Sequence, residues 1–142
     1  MLADDNPETN FAADELPASI FQKQSPLKSK VTAVKVGELV TDVAVLDFSD
    51  KLFVVVSQYQ KLGTLVLITK DVALNGDSQD PVYSTRVLLG KDEAEIHAVA
   101  RQFAEVLQCN KSILLGLALK DFSISTVRAL ASFLCDAVLS LS

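Results

Sequence analysis

From residue 30 onward the apolar positions repeat at two different periods, and the change between them divides the chain. Lys30 to Val36 and Leu39 to Phe48 are rich in Val and Thr and flank Gly37-Glu38, a connection of hairpin length, which predicts two antiparallel strands. Ser49-Asp50 breaks the pattern. Leu52 to Tyr59 (LFVVVSQY) is the densest β-branched run of the chain and predicts a third strand. Gln60 to Gly63 turns into a fourth, Thr64 to Thr69. Residues 71–81 then concentrate turn formers without periodicity (Asn75-Gly76, Asp77, Ser78, Asp80, Pro81), which predicts the longest loop. Val82 to Leu89 resumes as a fifth strand that Gly90 ends.

At Lys91 the period changes from two to about 3.6, with Ile96, Val99, Ala100, Phe103, Val106 and Leu107 on one side of a helix. Asp92 is the expected N-cap, with Glu95 three places on, and Glu93 adds negative charge where the helix dipole favours it. Ser112 to Leu119 (SILLGLAL) is far short of the ~20 residues that span a membrane and predicts a buried sixth strand. Asp121 and Ser123 can cap a last helix carrying Val127, Leu130, Leu134, Val138 and Leu141. The order βββββαβα is α+β: a two-layer arrangement, with an antiparallel sheet of about six strands and both helices on one face.

A sheet with helices on one face and water on the other should alternate apolar and polar residues, and these strands do not. Leu52, Val54 and Val56 oppose Phe53 and Val55; Leu65 and Leu67 oppose Val66 and Ile68; Ile113, Leu115, Leu117 and Leu119 oppose Leu114 and Ala118 across Gly116. Two helices cover one face, so the other would be an apolar patch larger than soluble monomers usually carry. The expectation is an obligate dimer, sheet against sheet, in preference to cover by the tail or loops. Phe53 and Val55, taken as outward, together with Val66 and Ile68 are the candidate interface residues. Parity alone leaves the opposite set, Leu52, Val54 and Val56, open.

Residues 1–29 read differently, as a disordered or loosely attached tail. Three of the four prolines and five acidic residues lie there, and Phe11, Leu16, Ile20 and Phe21 give residues 11–21 the makings of a short docking element. One domain, residues 30–142, follows. Across all 142 residues, 13 Lys and Arg against 18 Asp and Glu leave a net charge of −5, which argues against a phosphate-tracking surface and a nucleic-acid partner. Cys109 and Cys135 are too few for a disulfide framework, and no charged, apolar, small-residue leader opens at Met1. The expected setting is intracellular and reducing: cytoplasmic, with the nucleus also open.

Catalytic signatures are sparse. The single histidine, His97, has no partner at metal-ligand spacing, and the cysteines stand 26 positions apart without a CxxC. No GxSxG, GxGxxG or GxxxxGK[ST] occurs, and Asp92, Glu93 and Glu95 are accounted for by a helix start. The residues predict a binding module that is not an enzyme and holds no cofactor or metal.

Two stretches carry a resemblance. Gln58-Tyr59-Gln60-Lys61-Leu62-Gly63-Thr64-Leu65-Val66 and Val87-Leu88-Leu89-Gly90-Lys91-Asp92-Glu93-Ala94-Glu95-Ile96-His97 resemble the two best-marked segments of the proteasome assembly chaperone 3 family, at similar separation. A weaker similarity continues through Leu114-Leu115, Lys120-Asp121 and Arg128-Ala129-Leu130. The resemblance implies a non-enzymatic chaperone that pairs with a proteasome assembly chaperone 4-like subunit, or with itself when alone. Such a pair binds proteasome α subunits as the 20S ring forms and leaves before maturation. Tyr59 and Lys61 in the marked turn, and Asp71, Asp77 and Asp80 in the long loop, are the candidate client contacts. The alternative is a small dimeric scaffold or trafficking-complex subunit.

Overall fold

The computed structural model describes residues 27–72 and 81–141. Its elements are β1 (Lys28–Val36), β2 (Leu39–Asp47), β3 (Lys51–Ser57), β4 (Thr64–Val72), β5 (Pro81–Leu89), α1 (Ala94–Leu107), β6 (Ser112–Ala118) and α2 (Ile124–Leu139). The first strand thus starts two residues before the predicted domain boundary. The tail expectation otherwise concerns residues outside those described, as do Asp77 and Asp80. Residues 71–81 are not all loop: Asp71 pairs with Val82 and Val72 with Pro81, lengthening β4 and β5. Pro81 is tolerated as the first residue of an edge strand, where its missing N–H interrupts no ladder.

The six strands form one sheet in the order β1-β2-β3-β6-β4-β5. Four of its pairings are antiparallel, but β6 runs parallel to β3, so the sheet is mixed and not wholly antiparallel as expected. The reason is topological: β6 returns from α1 and slots between β3 and β4, two consecutive strands that periodicity alone would pair as a hairpin. It must then run antiparallel to one of them and parallel to the other.

Both helices lie on one face. α1 covers β4, β5 and β6, α2 covers β1 and β2, and the two helices touch. Beneath them runs the row Val45–Val54–Leu115–Val66–Val87, one residue from each of five neighbouring strands. Its first four members, with Phe103, Leu130 and Leu134 from the helices, are at most 1% exposed. Fully burying a side chain of this size is worth about 1.5–3 kcal/mol, so this layer is the main source of stability. At α2 the expected cap forms, Ser123 Oγ accepting from Thr126 N. At α1 it does not: Glu93 occupies the N-cap without a side-chain cap, because the Asp92 carboxylate is engaged by His97. Val106, expected on the buried side of α1, is exposed.

Candidate partner interface

The face away from the helices is apolar at its centre. Register places Ser29, Leu46, Phe53, Leu114, Leu67 and Arg86 side by side across all six strands. The next row is Val31, Ala44, Val55, Gly116, Leu65 and Leu89. Leu46, Phe53, Val55, Leu65, Leu67 and Leu114 are half-buried, while Val31 and Leu89 at the two edges are 77% and 62% exposed. A bulge at Leu88 interrupts the β4–β5 ladder beside Leu65.

Phe53 and Val55 therefore face away from the helices, but Val66 and Ile68 do not. At 0% and 1% exposure these two lie in the core, and Leu65 and Leu67 take their place beside Phe53. The correction has a physical cause. Both faces of β4 are equally oily, so nothing in its composition fixes which parity meets the helices. Register decides it, because Val66 lies opposite Leu115 and Leu67 opposite Leu114.

At one end of this face the chain must cross from β3 to β4 over the end of β6. Ser57 begins the crossing by accepting from the backbone N–H groups of Tyr59 (3.2 Å) and Lys61 (3.1 Å), which ends β3 two residues early. Leu62 then lies on Gly116, where a Cβ would sit 2.3 Å from Leu62 Cδ1. Gly63, at φ +75°, passes so close to β6 that a Cβ would stand 2.3 Å from the Leu117 carbonyl oxygen. The marked segment Gln58 to Val66 is thus a bridge across an inserted strand.

Gln58 locks that bridge. Its amide nitrogen donates to Thr41 Oγ1 (3.1 Å), and its amide oxygen accepts from Lys120 N (2.7 Å) and Asp121 N (3.3 Å). One buried side chain so joins β2, the end of β3 and the exit of β6. Sequence reasoning quoted Gln58 without assigning it a role; the available signal was a polar residue ending the most hydrophobic strand. Tyr59 is half exposed beside it, with Lys61 Nζ 5.3 Å and Lys120 Nζ 5.1 Å from its ring centroid. Lys120 was not foreseen as its companion. Tyr59 and Lys120 border a depression of about 450 Å³ that Glu38, Asp42 and Gln60 also line.

Asp71 sits at the far end of β4, accepting from Ser84 Oγ at 2.6 Å. It stands seven positions along the strand from Thr64, a span of about 24 Å, so the structure does not bring it together with Tyr59 and Lys61. His97 is held between Thr85 Oγ1 on Nδ1 (2.6 Å) and Asp92 Oδ1 on Nε2 (2.5 Å). It ties the start of α1 to edge strand β5. Asp121 accepts from Thr126 Oγ1 (2.6 Å) and Ser123 N (2.9 Å), and these hydrogen bonds hold its carboxyl below the usual carboxylate range. Burial, then the charges of Glu105 and Cys109, push the Tyr83 phenol up, and its hydroxyl has no hydrogen-bond partner among the described residues.

By fold this is a small two-layer α+β protein of the kind found in a solved structure described as a novel chaperone complex for yeast 20S proteasome assembly. The two superpose with a TM-score of 0.59, covering 82% of this chain and 98% of that one at 13% identity, a likeness of fold. The family model for Proteasome assembly chaperone 3 matches residues 54–136. Relatives of that name are 39% identical over 73% of this chain and 87% of theirs in Bos taurus, and 41% identical over 63% and 75% in Mus musculus. The chain belongs to the Proteasome assembly chaperone 3 family.

Proposed function

We propose that this protein is an assembly chaperone of the 20S proteasome that works as one half of a dimer, without catalysis, in the cytoplasm and the nucleus. Its partner is a structurally similar, proteasome assembly chaperone 4-like subunit, and the pair promotes formation of the α-subunit ring and departs before the particle matures. The observation that carries the pairing is the row Leu46–Phe53–Leu114–Leu67, four large apolar residues on four adjacent strands that neither helix covers. A standard interface buries about 800 Å² per partner around such an apolar centre. Family membership supports the client, and the Tyr59–Lys61–Lys120 cluster, at the rim of the same face, is the proposed point of contact with an α subunit.

Affinity purification from cells tests both halves. The wild-type protein should bring down a second small chaperone together with α subunits, and no mature particle. Phe53→Asp, checked for native circular dichroism, should lose the chaperone partner, since a carboxylate would be desolvated without a counter-ion at the centre of the interface. Undiminished pairing by a folded Phe53→Asp would remove this face from the proposal. Recovery of mature particles with the wild type would contradict release.

A further inference from the structure

We propose that, in the unpaired chain, the apolar sheet face is occupied by the protein's own N-terminal segment, residues 11–21, which the partner must displace. The inference rests on reading that face as the pairing surface and adds a competitor for it.

Three observations meet. The first is where the described chain starts. Lys28 opens the edge strand β1, and the next residue, Ser29, is the first member of the row that continues through Leu46, Phe53, Leu114 and Leu67 to Arg86. With strands about 4.8 Å apart, Phe53 lies about 10 Å from Ser29 and Arg86 about 24 Å. Phe21 is seven residues before Lys28, a reach of up to about 23 Å, and Phe11 is seventeen residues before it, up to about 56 Å. The segment spans the whole row with slack.

The second is composition. Phe11, Leu16, Ile20 and Phe21 are large apolar residues in an otherwise polar stretch, and they match a face with four large apolar residues in line.

The third is charge. Residues 1–26 carry five carboxylates and one lysine, so four of the chain's five net negative charges lie there. On the near edge strand, β1, the residues that share the parity of Ser29 (Val31, Ala33 and Lys35) include one cation and no carboxylate. At the far end of the row Arg86 is exposed and forms no salt bridge with a described carboxylate. An acidic segment laid along this row meets no carboxylate in the row itself and reaches the cation Arg86 at its far end. Tethering raises its effective concentration to the millimolar range, so intrinsic binding as weak as about 1 mM suffices to occupy the face.

The protein contains no tryptophan, so Phe53→Trp is a single reporter at the centre of the row. Its emission and acrylamide quenching are compared, in the full chain, with those of the same reporter carrying Phe11, Leu16, Ile20 and Phe21 all changed to Ser. Both are measured at a concentration where sedimentation shows a monomer. The four serines should shift the emission to the red and raise the quenching constant at least twofold. Equal quenching constants in the two monomers would overturn the proposal. Protection that grows with concentration, together with a dimer by sedimentation, would assign the face to a second copy instead. Leu114→Trp, one strand away on the same row, gives the same reading if the indole at position 53 disturbs the fold. Loss of the pairing reading shows separately, as undiminished partner capture by Phe53→Asp, and leaves the quenching comparison intact.

Discussion

Gly63 and Tyr83 are two residues where one atom decides the outcome. At Gly63 a side chain meets two penalties, a left-handed backbone and a Cβ pressed against the Leu117 carbonyl. Gly63→Val should lower unfolding stability by about 2–4 kcal/mol, whereas Lys61→Glu two residues earlier should change it by less than about 0.5 kcal/mol. Equilibrium denaturation separates the two, and equal losses would make the whole turn structural. Tyr83 presents the opposite case, a buried hydroxyl without a described partner. Leaving such a group unsatisfied costs about 1–3 kcal/mol, so Tyr83→Phe should raise the melting temperature. Because the folded phenol's pKa is raised, its contribution is full below about pH 10 and fades as pH rises through the folded value. The wild type should therefore lose stability at alkaline pH, and Tyr83→Phe should lose part of that drop.

The elements were legible where a period repeated, and illegible where the path of the chain between them mattered. All six strands follow from β-branched and apolar runs bounded by turn formers and both helices from 3.6-residue spacing, and Ser123 caps α2 as its residue type predicts. The insertion of β6 between β3 and β4 was not legible, since pairing of non-consecutive strands leaves no local mark except a glycine in mid-strand, Gly116, under the crossing Leu62. Gln58 holds that insertion, so Gln58→Leu should cost about 2 kcal/mol by stranding Thr41 Oγ1 and the Lys120 N–H, with an unchanged denaturant slope. Asp121, at the exit of β6, adds an acid-side dependence. Its folded pKa is lowered, so its contribution is full above the ordinary carboxylate value of about 4 and is lost as pH falls through the folded one. Asp121→Ala should flatten the decline in melting temperature as pH falls below about 4.

For the whole molecule, the sequence by itself determined that the fold is α+β, that its strands are oily on both sides, and that two helices are too few to cover both. These are sums over composition and period, which need no knowledge of who neighbours whom. Which side chains share a face was decided by the tertiary structure alone. Val66 and Ile68 are as apolar as Leu65 and Leu67, and only the register of β4 against β6 sends the first pair under the helices and the second to the open face. The same holds for the polar rim: Tyr59, Lys61 and Lys120 meet because β6 exits beside the loop that crosses it, although about sixty positions separate them in the chain. Side-chain period is a local property, readable along the chain. Strand order and register arise from long-range pairing, in which equally hydrophobic choices differ only by what they finally pack against.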